Sequence, residues 1–288
     1  MLSALSVAFI DIGQGDATVA HLPGGANAVV VDCGSTGDKR VHDHLSHIKV
    51  KELPLVVLTH SDDDHIGGIM TVLENFRGRV GEIAFNPDRI KSGTEEKKYV
   101  LFLRRLAQFS RQRGSELSTP LSPHRWLLDG VQFRVLHPSG ADHLDALAGG
   151  MRNDGSMVIL TEYAGMRLLL AADIQGQGWQ WVAAREADLR AQVFKLSHHG
   201  AWHTNGLKLP EVLTMVEPDL IVVSVGAPNP YGHPAEKTLE ALGDYLDRSP
   251  NARVLCTELA SSDHSRITAA GTIRIDVTVD GVTMSTPG

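Results

Sequence analysis

The sequence predicts an α/β chain of two half-domains, each with a sheet inside and helices outside, stacked as an αββα four-layer sandwich. Two observations predict it. Short apolar runs alternate with amphipathic helical stretches from residue 5 to residue 285. Several of those runs end abruptly in clusters of His and Asp, as buried strands do when they deliver side chains to a site.

The elements follow in order. Residues 5–12 alternate toward the turn Gly13-Gln14-Gly15, and residues 17–22 form the second strand. Pro23-Gly24-Gly25 makes the next turn, and residues 28–31 are a third strand ending at Asp32. Three linked antiparallel strands therefore open the chain. Residues 53–58 are wholly apolar and read as a buried strand, with a helix over 66–76. The stretch 88–125 reads as a helical insertion around an amphipathic core at 99–109. It carries Arg89, Lys91, Lys97, Lys98, Arg104, Arg105, Arg111 and Arg113. These cations fit a solvated helix face or a basic wall that holds an anionic substrate. Strands are expected at 131–136, 156–162, 166–171, 193–196, 220–225, 254–257, 272–279 and 281–285, and helices at 176–190 and 234–246.

Composition narrows the function. The 288 residues suit one large domain spanning 1–288, with or without an insertion. No run of about 18 apolar residues is present, so no membrane span is expected. The first ten residues lack a basic flank and read as a strand, not a leader. Cys33 and Cys256 can form neither a disulfide framework nor a four-thiolate zinc site, and they suit a reducing, cytoplasmic compartment. A net charge of −7 excludes a globally basic nucleic-acid binder but not a local basic patch.

The chemistry concentrates in four places. His60-Ser61-Asp62-Asp63-Asp64-His65 packs two imidazoles and three carboxylates into one loop. Partly buried, that loop carries desolvation and repulsion costs that divalent cations relieve. A loop this short can present His60 and Asp62 to one ion, and Asp64 and His65 to a second. Neutral imidazole and carboxylate suit zinc, manganese or iron. Gly67-Gly68 then permits a sharp entry into the following helix. Asp173 follows the apolar run 168–172 and can bridge two ions, or cap the helix after it. His198 and His199 follow the strand 193–196. Adjacent side chains there diverge, so one can ligate while the other contacts substrate. His233 sits in a Pro/Gly-rich loop past the strand 220–225. Asp11 and Asp16 fit either a structural turn or the rim of the site.

These residues resemble the metallo-β-lactamase superfamily, whose second motif is His-x-His-x-Asp-His. The match is closer to the ComEC-type hydrolase domain of DNA-uptake channels. It rests on Phe9 to Asp16, the His-x-Asp-x-Asp-His form at His60 to His65, residues 153–160, 170–174 and 196–200, Ser224-Val225-Gly226 and Tyr231-Gly232-His233-Pro234, in that order. The resemblance implies a metal-dependent phosphodiesterase or nuclease with two divalent ions, Zn²⁺ or Mn²⁺. His60 and Asp62 would hold the first ion, Asp64 and His65 the second, Asp173 would bridge, and His199 would be the final histidine ligand. Asp32 would support the metal loop. His198 would lie beside the substrate phosphate, and His233 would bind phosphate or donate a proton. Asp62 stands where most members have His. Asn153 and Asp154 stand where a third imidazole normally joins the first ion. Both changes favour oxygen donors, which brings manganese in beside zinc and argues against β-lactams. The channel's membrane part is not expected in this chain, so a free-standing relative acting on nucleic acid or another phosphodiester is implied. The same site would serve a metallohydrolase of a small phosphate ester, cyclic nucleotide, lactone or thioester, or, without catalysis, a metal-binding module.

Overall fold

The computed structural model describes residues 4–87, 94–278 and 281–285. Arg89 and Lys91 of the basic stretch, and Val279 of the expected strand 272–279, lie outside the described residues.

Two eight-stranded sheets stack face to face. The first begins with β1 (Leu5–Phe9), β2 (Ala17–His21) and β3 (Asn27–Cys33), joined antiparallel. Helix α1 (Arg40–His47) leads to β4 (Glu52–Leu58), which pairs parallel to β3. A four-residue helix α2 (Asp63–Ile66) and then α3 (Ile69–Asn75) lead to β5 (Arg79–Phe85). Helix α4 (Thr94–Arg113) is followed by β6 (Glu116–Ser118), which pairs parallel to β5. The basic stretch is therefore a helix plus a sheet edge of the first half.

The second sheet starts with β7 (Arg125–Leu128) and β8 (Val131–His137), then α5 (Gly140–Gly149), β9 (Val158–Tyr163) and β10 (Met166–Leu170). Those four strands are antiparallel. Helix α6 (Gly176–Arg185), β11 (Val193–Lys195), α7 (Leu209–Val216), β12 (Leu220–Val223), α8 (Glu236–Arg248), β13 (Arg253–Cys256) and β14 (Ile267–Ala269) follow. Here β10 to β14 run parallel. The last strands, β15 (Ile273–Thr278) and β16 (Gly281–Ser285), cross back to the first sheet. β15 pairs with β1 (Leu5 opposite Val277), so the two halves are not strictly sequential.

The strands read as continuous apolar runs because both faces are buried. In β1, Val7 and Phe9 enter the core between the sheets, while Ala8 packs outward beneath helices α1, α3 and α4. In the second sheet, Leu168 and Leu170 face the first sheet, while Leu169 packs against the helical layer that includes Trp179 and Leu242. Alternate residues thus feed different cores, and a one-residue slip would exchange them. The four-layer expectation holds.

The expected helix over 66–76 is broken into α2 and α3 at Gly67-Gly68. A Cβ at Gly67 would lie 2.2 Å from Thr36 N, and one at Gly68 would lie 2.1 Å from Cys33 O. The backbone there is ordinary right-handed helix, so close approach to the end of β3, and not unusual φ, requires these glycines. The helix expected over 176–190 stops at Arg185, where Glu186 turns extended and pairs with Arg134.

Candidate metal centre

The strand ends gather on one edge of the sandwich. β3 and β4 end there from the first sheet, and β10, β11 and β12 from the second. Carboxyl ends of parallel strands are where α/β sheets present functional side chains.

Asp32 organises the first side. Its backbone is left-handed at φ 58°, which turns the carboxylate inward. That carboxylate accepts Thr59 N at 2.9 Å and Thr59 Oγ1 at 2.7 Å, and it lies 2.7 Å from His65 Nδ1. With Nδ1 occupied, His65 presents Nε2 to the centre. Asn86 bonds both Thr59 O and Gly155 O, tying the end of β4 to the turn that contains Asn153. Asp63 faces away from the centre and binds Thr36.

The second side is held by local backbone geometry. Ala172, His198 and His199 all have positive φ, and His198 N donates to Ala172 O. His199 Nδ1 lies 2.9 Å from Ser224 O, which directs Nε2 inward. His198 is set by Gln175 Nε2 at 3.2 Å and Asn153 Nδ2 at 3.4 Å.

These supports bring the expected residues together. Potential ligand atoms of Asp16, His65, Asp173 and His199 all lie within 4.8 Å of one another, and all four residues are buried. His65 Nε2 is 3.1 Å from Asp173 Oδ1, and His199 Nε2 is 3.3 Å from Asp64 Oδ2. On the other flank, His60 Nε2 is 3.6 Å from Asp173 Oδ2 and 3.7 Å from Asp62 Oδ2. Asp173 stands between the two flanks. Its backbone follows a left-handed residue, and its carboxylate meets four imidazoles, those of His60, His65, His198 and His199. His198 Nε2 is 3.6 Å from the same carboxylate, and the His233 ring stands 5.7 Å from that of His198.

Charge at this centre calls for cations. Burial opposes charge on His65, but Asp173 and Asp32 outweigh it and hold its pKa well above the usual range. His199 is likewise raised, by Asp173 and Asp64 against burial. Burial would raise Asp64 and Asp173, yet the imidazoles hold both below the carboxylate range. His60 instead is pushed down to about 4 by burial and by His65, so it is a neutral donor. His60 Nε2 and Asp16 Oδ1 are buried without a hydrogen-bond partner. Unpartnered buried donor atoms among carboxylates fit a divalent-ion site.

Several residues of the centre had little or no signal of their own in the sequence. Asp16, open between turn and rim, is instead buried in the cluster, and Lys195 Nζ lies 2.5 Å from its Oδ2. Lys195 is itself buried, at the end of β11. A lysine inside the apolar run Val193-Phe194-Lys195-Leu196 was its only signal. His203 stacks on His198 at 5.5 Å, and Arg152 Nη1 reaches Asp62 Oδ1 at 2.6 Å.

A cleft of about 1000 Å³ opens over the centre. Asp62, Asp64, Asp173, His198, His199 and His233 form its floor. One face of α4, with Lys98, Tyr99, Leu101, Phe102 and Arg105, forms a wall. Of the basic stretch, Lys98 and Arg105 therefore reach the cleft, while Arg113 bonds the carbonyls of Phe76 and Gly78 and serves the fold.

Comparison with known proteins identifies the family. The family model described as "Metallo-beta-lactamase superfamily" matches residues 10–256. The chain belongs to the metallo-β-lactamase superfamily. Within it, the chain is 27% identical to ComE operon protein 3 of Bacillus subtilis (strain 168), over 82% of this chain and 30% of that protein. It is 25% identical to Recombination protein 2 of Haemophilus influenzae over 85% of this chain and 27% of that protein, and 27% identical to Competence protein ComA of Neisseria gonorrhoeae over 74% and 25%. The chain thus spans less than a third of these curated relatives. Among solved structures, the metallo hydrolase Igni18 of Ignicoccus hospitalis matches with a TM-score of 0.51 at 15% identity, over 93% of this chain and 98% of that one. The diiron β-hydroxylase CmlA of Streptomyces venezuelae matches at 0.54 and 13%, over 96% of this chain and 54% of that one. These likenesses concern the metallo-β-lactamase fold. Among the described residues, no helix is long and apolar enough to cross a membrane.

Proposed function

We propose that this chain is a metal-dependent phosphodiesterase that cleaves nucleic acid, using two divalent ions, Zn²⁺ or Mn²⁺. The observation that carries the reading is the continuity of the cleft. The buried His/Asp centre lies at its floor, and Lys98 and Arg105 lie on its wall. A polymer whose scissile phosphate rests at the floor would place neighbouring phosphates near those cations. The competence and recombination relatives point to DNA as the nucleic acid.

His60, Asp62, Asp64, His65, Asp173 and His199 would hold the ions, with Asp173 between them and Asp16 beside them. Bound there, the ions would supply an activated water and Lewis-acid stabilisation of the phosphoryl oxygens. Asp32 acts through His65 by fixing its ring. His198, steadied by Asn153 and Gln175, lines the cleft beside Asp173, where it would lie against the substrate phosphate. His233 closes that side. Burial and the neighbouring imidazoles push its pKa down to about 4, so it is neutral without substrate. A bound phosphate would favour its protonated form and make it the proton donor to the leaving oxygen.

One observation favours a second reading. Leu101, Phe102, Met70 and Ile66 make part of the cleft apolar, which suits a small ester with a hydrophobic group. Cleavage of single- and double-stranded DNA, RNA and a chromogenic phosphodiester, with Mn²⁺, Zn²⁺ or EDTA, separates the two. Polynucleotide cleavage abolished by EDTA and by Asp64→Ala supports the nuclease. Cleavage of the chromogenic ester alone selects the small substrate. No phosphodiester cleavage by folded, metal-loaded protein defeats both phosphodiesterase readings.

A further inference from the structure

We infer that Arg152 makes the two ion positions unequal, by competing for Asp62 with the ion on the His60 side. The inference rests on the proposed metal centre but not on the identity of the substrate.

The two flanks are differently built. On the inner flank, Asp16, His65, Asp173 and His199 converge within 4.8 Å, and Asp64 stands 3.3 Å from His199. On the outer flank, His60 and Asp62 join Asp173, and His198 Nε2 stands 3.6 Å from the same Asp173 Oδ2. Asn153, of the turn at 153–155, lines the cleft beside that flank. Asn153 Nδ2 is engaged with His198, and Asp154 is turned toward the second half. Its Oδ1 accepts Gly178 N at 2.8 Å, and its carbonyl oxygen lies 2.7 Å from His137 Nε2.

The same turn delivers a positive charge. Arg152 O accepts Gly155 N, and Asn86 fixes Gly155 O, so the backbone is anchored from both sheets. From there the guanidinium reaches Asp62 Oδ1, while Asp62 Oδ2 faces His60. The two side chains are similarly shielded, 23% and 21% exposed, so their interaction is only partly screened. An ion held by His60, Asp62 and Asp173 would share its carboxylate with this cation and be repelled by it. A neutral residue at position 152 removes both effects.

Titration with Mn²⁺ alone, followed by calorimetry and by the loss of the free-Mn²⁺ electron paramagnetic resonance signal, reads this directly. The wild type is expected to bind one ion tightly and a second about ten-fold or more weakly. Arg152→Gln should tighten the weaker ion by about ten-fold and leave the tighter one unchanged, the scale expected for one charge beside a divalent ion in a partly exposed site. Arg152→Lys keeps the charge and should resemble the wild type, and Asp62→Ala should abolish the weaker event only. Two equally tight ions in the wild type would overturn the inference. So would an unchanged weaker ion in Arg152→Gln, or loss of the tighter ion in Asp62→Ala. None of these readouts needs a substrate, so the nuclease reading can fail independently.

Discussion

The two sheets contribute to the centre in different ways. The first supplies His60, Asp62, Asp64 and His65 from one loop, braced by a single carboxylate, Asp32. The second supplies Asp173, His198, His199 and Lys195 from the ends of two strands, held by left-handed backbone and by bonds between loops. The first side is a local device that six consecutive residues nearly complete. The second exists only when β10, β11 and β12 lie in register. Asp173 and the Asp16–Lys195 pair are where the sides meet, so substitutions there should show whether either side works alone.

The largest effect is expected at Asp173. Asp173→Ala removes the carboxylate shared by both flanks and should lower phosphodiester cleavage about a thousand-fold, the several kcal/mol that metal activation contributes. Near-normal cleavage would mean that one flank suffices. Next comes Lys195→Met, which strands Asp16 in the core. Breaking a buried pair costs about 3–5 kcal/mol. That loss should appear in urea melts with EDTA and shrink with Mn²⁺ if Asp16 faces the inner ion. An equal loss under both conditions would make Asp16 a purely structural partner of Lys195. Asp32→Asn leaves every ligand in place but loosens His65. It should weaken Mn²⁺ binding about 10–100-fold while the fold persists.

Acid and base should act on the metal-free protein in opposite directions. Asp64 and Asp173 have depressed pKa values, so their contribution is present above about pH 4 and is lost as pH falls further. His65 and His199 have raised values. Their contribution is full below about pH 6.5 and is lost as pH rises through the folded pKa. His60, His203 and His233, pushed down to about 4 by burial, take up protons only on unfolding and so cost stability below about pH 6.5. Thermal melts in EDTA should therefore peak near the upper of these limits, and Mn²⁺ should move the peak upward because metal displaces those protons. A metal-free optimum above about pH 8 would contradict this balance.

The same contrast explains what the sequence disclosed. The His60–His65 cluster was legible because its His and Asp residues are contiguous, and Asp173 and His199 stood out because each follows an apolar strand. Asp16 was ambiguous because an Asp after Gly13-Gln14-Gly15 also suits a turn. Lys195 gave no functional signal, since its partner lies 179 residues away. Strands buried on both faces were legible as apolar runs. β5 was not, because exposed Arg79 and half-buried Gly81 and Glu82 interrupt its pattern. α1 buries only Val41 and Leu45 and is otherwise polar, so its periodicity is faint. The pairing of β15 with β1 is non-local and has no local signature.

The smallest expected effect tests the cleft wall, which belongs to the first half but makes no contribution to the metal cluster. Lys98→Gln with Arg105→Gln removes two cations from α4. The Arg105–Glu74 pair is exposed, so its loss should cost no more than about 1 kcal/mol of stability. Mn²⁺ binding should not change. For a polynucleotide, KM should rise, and the salt dependence of binding should flatten by about one unit for each phosphate that is no longer neutralised. For a chromogenic diester too short to reach the wall, kcat/KM should stay near the wild-type value. If both substrates suffer equally, the wall acts on the centre itself and not on neighbouring phosphates. If neither suffers, the cations are a solvated helix face, and the case for a polymeric substrate loses the observation that carries it.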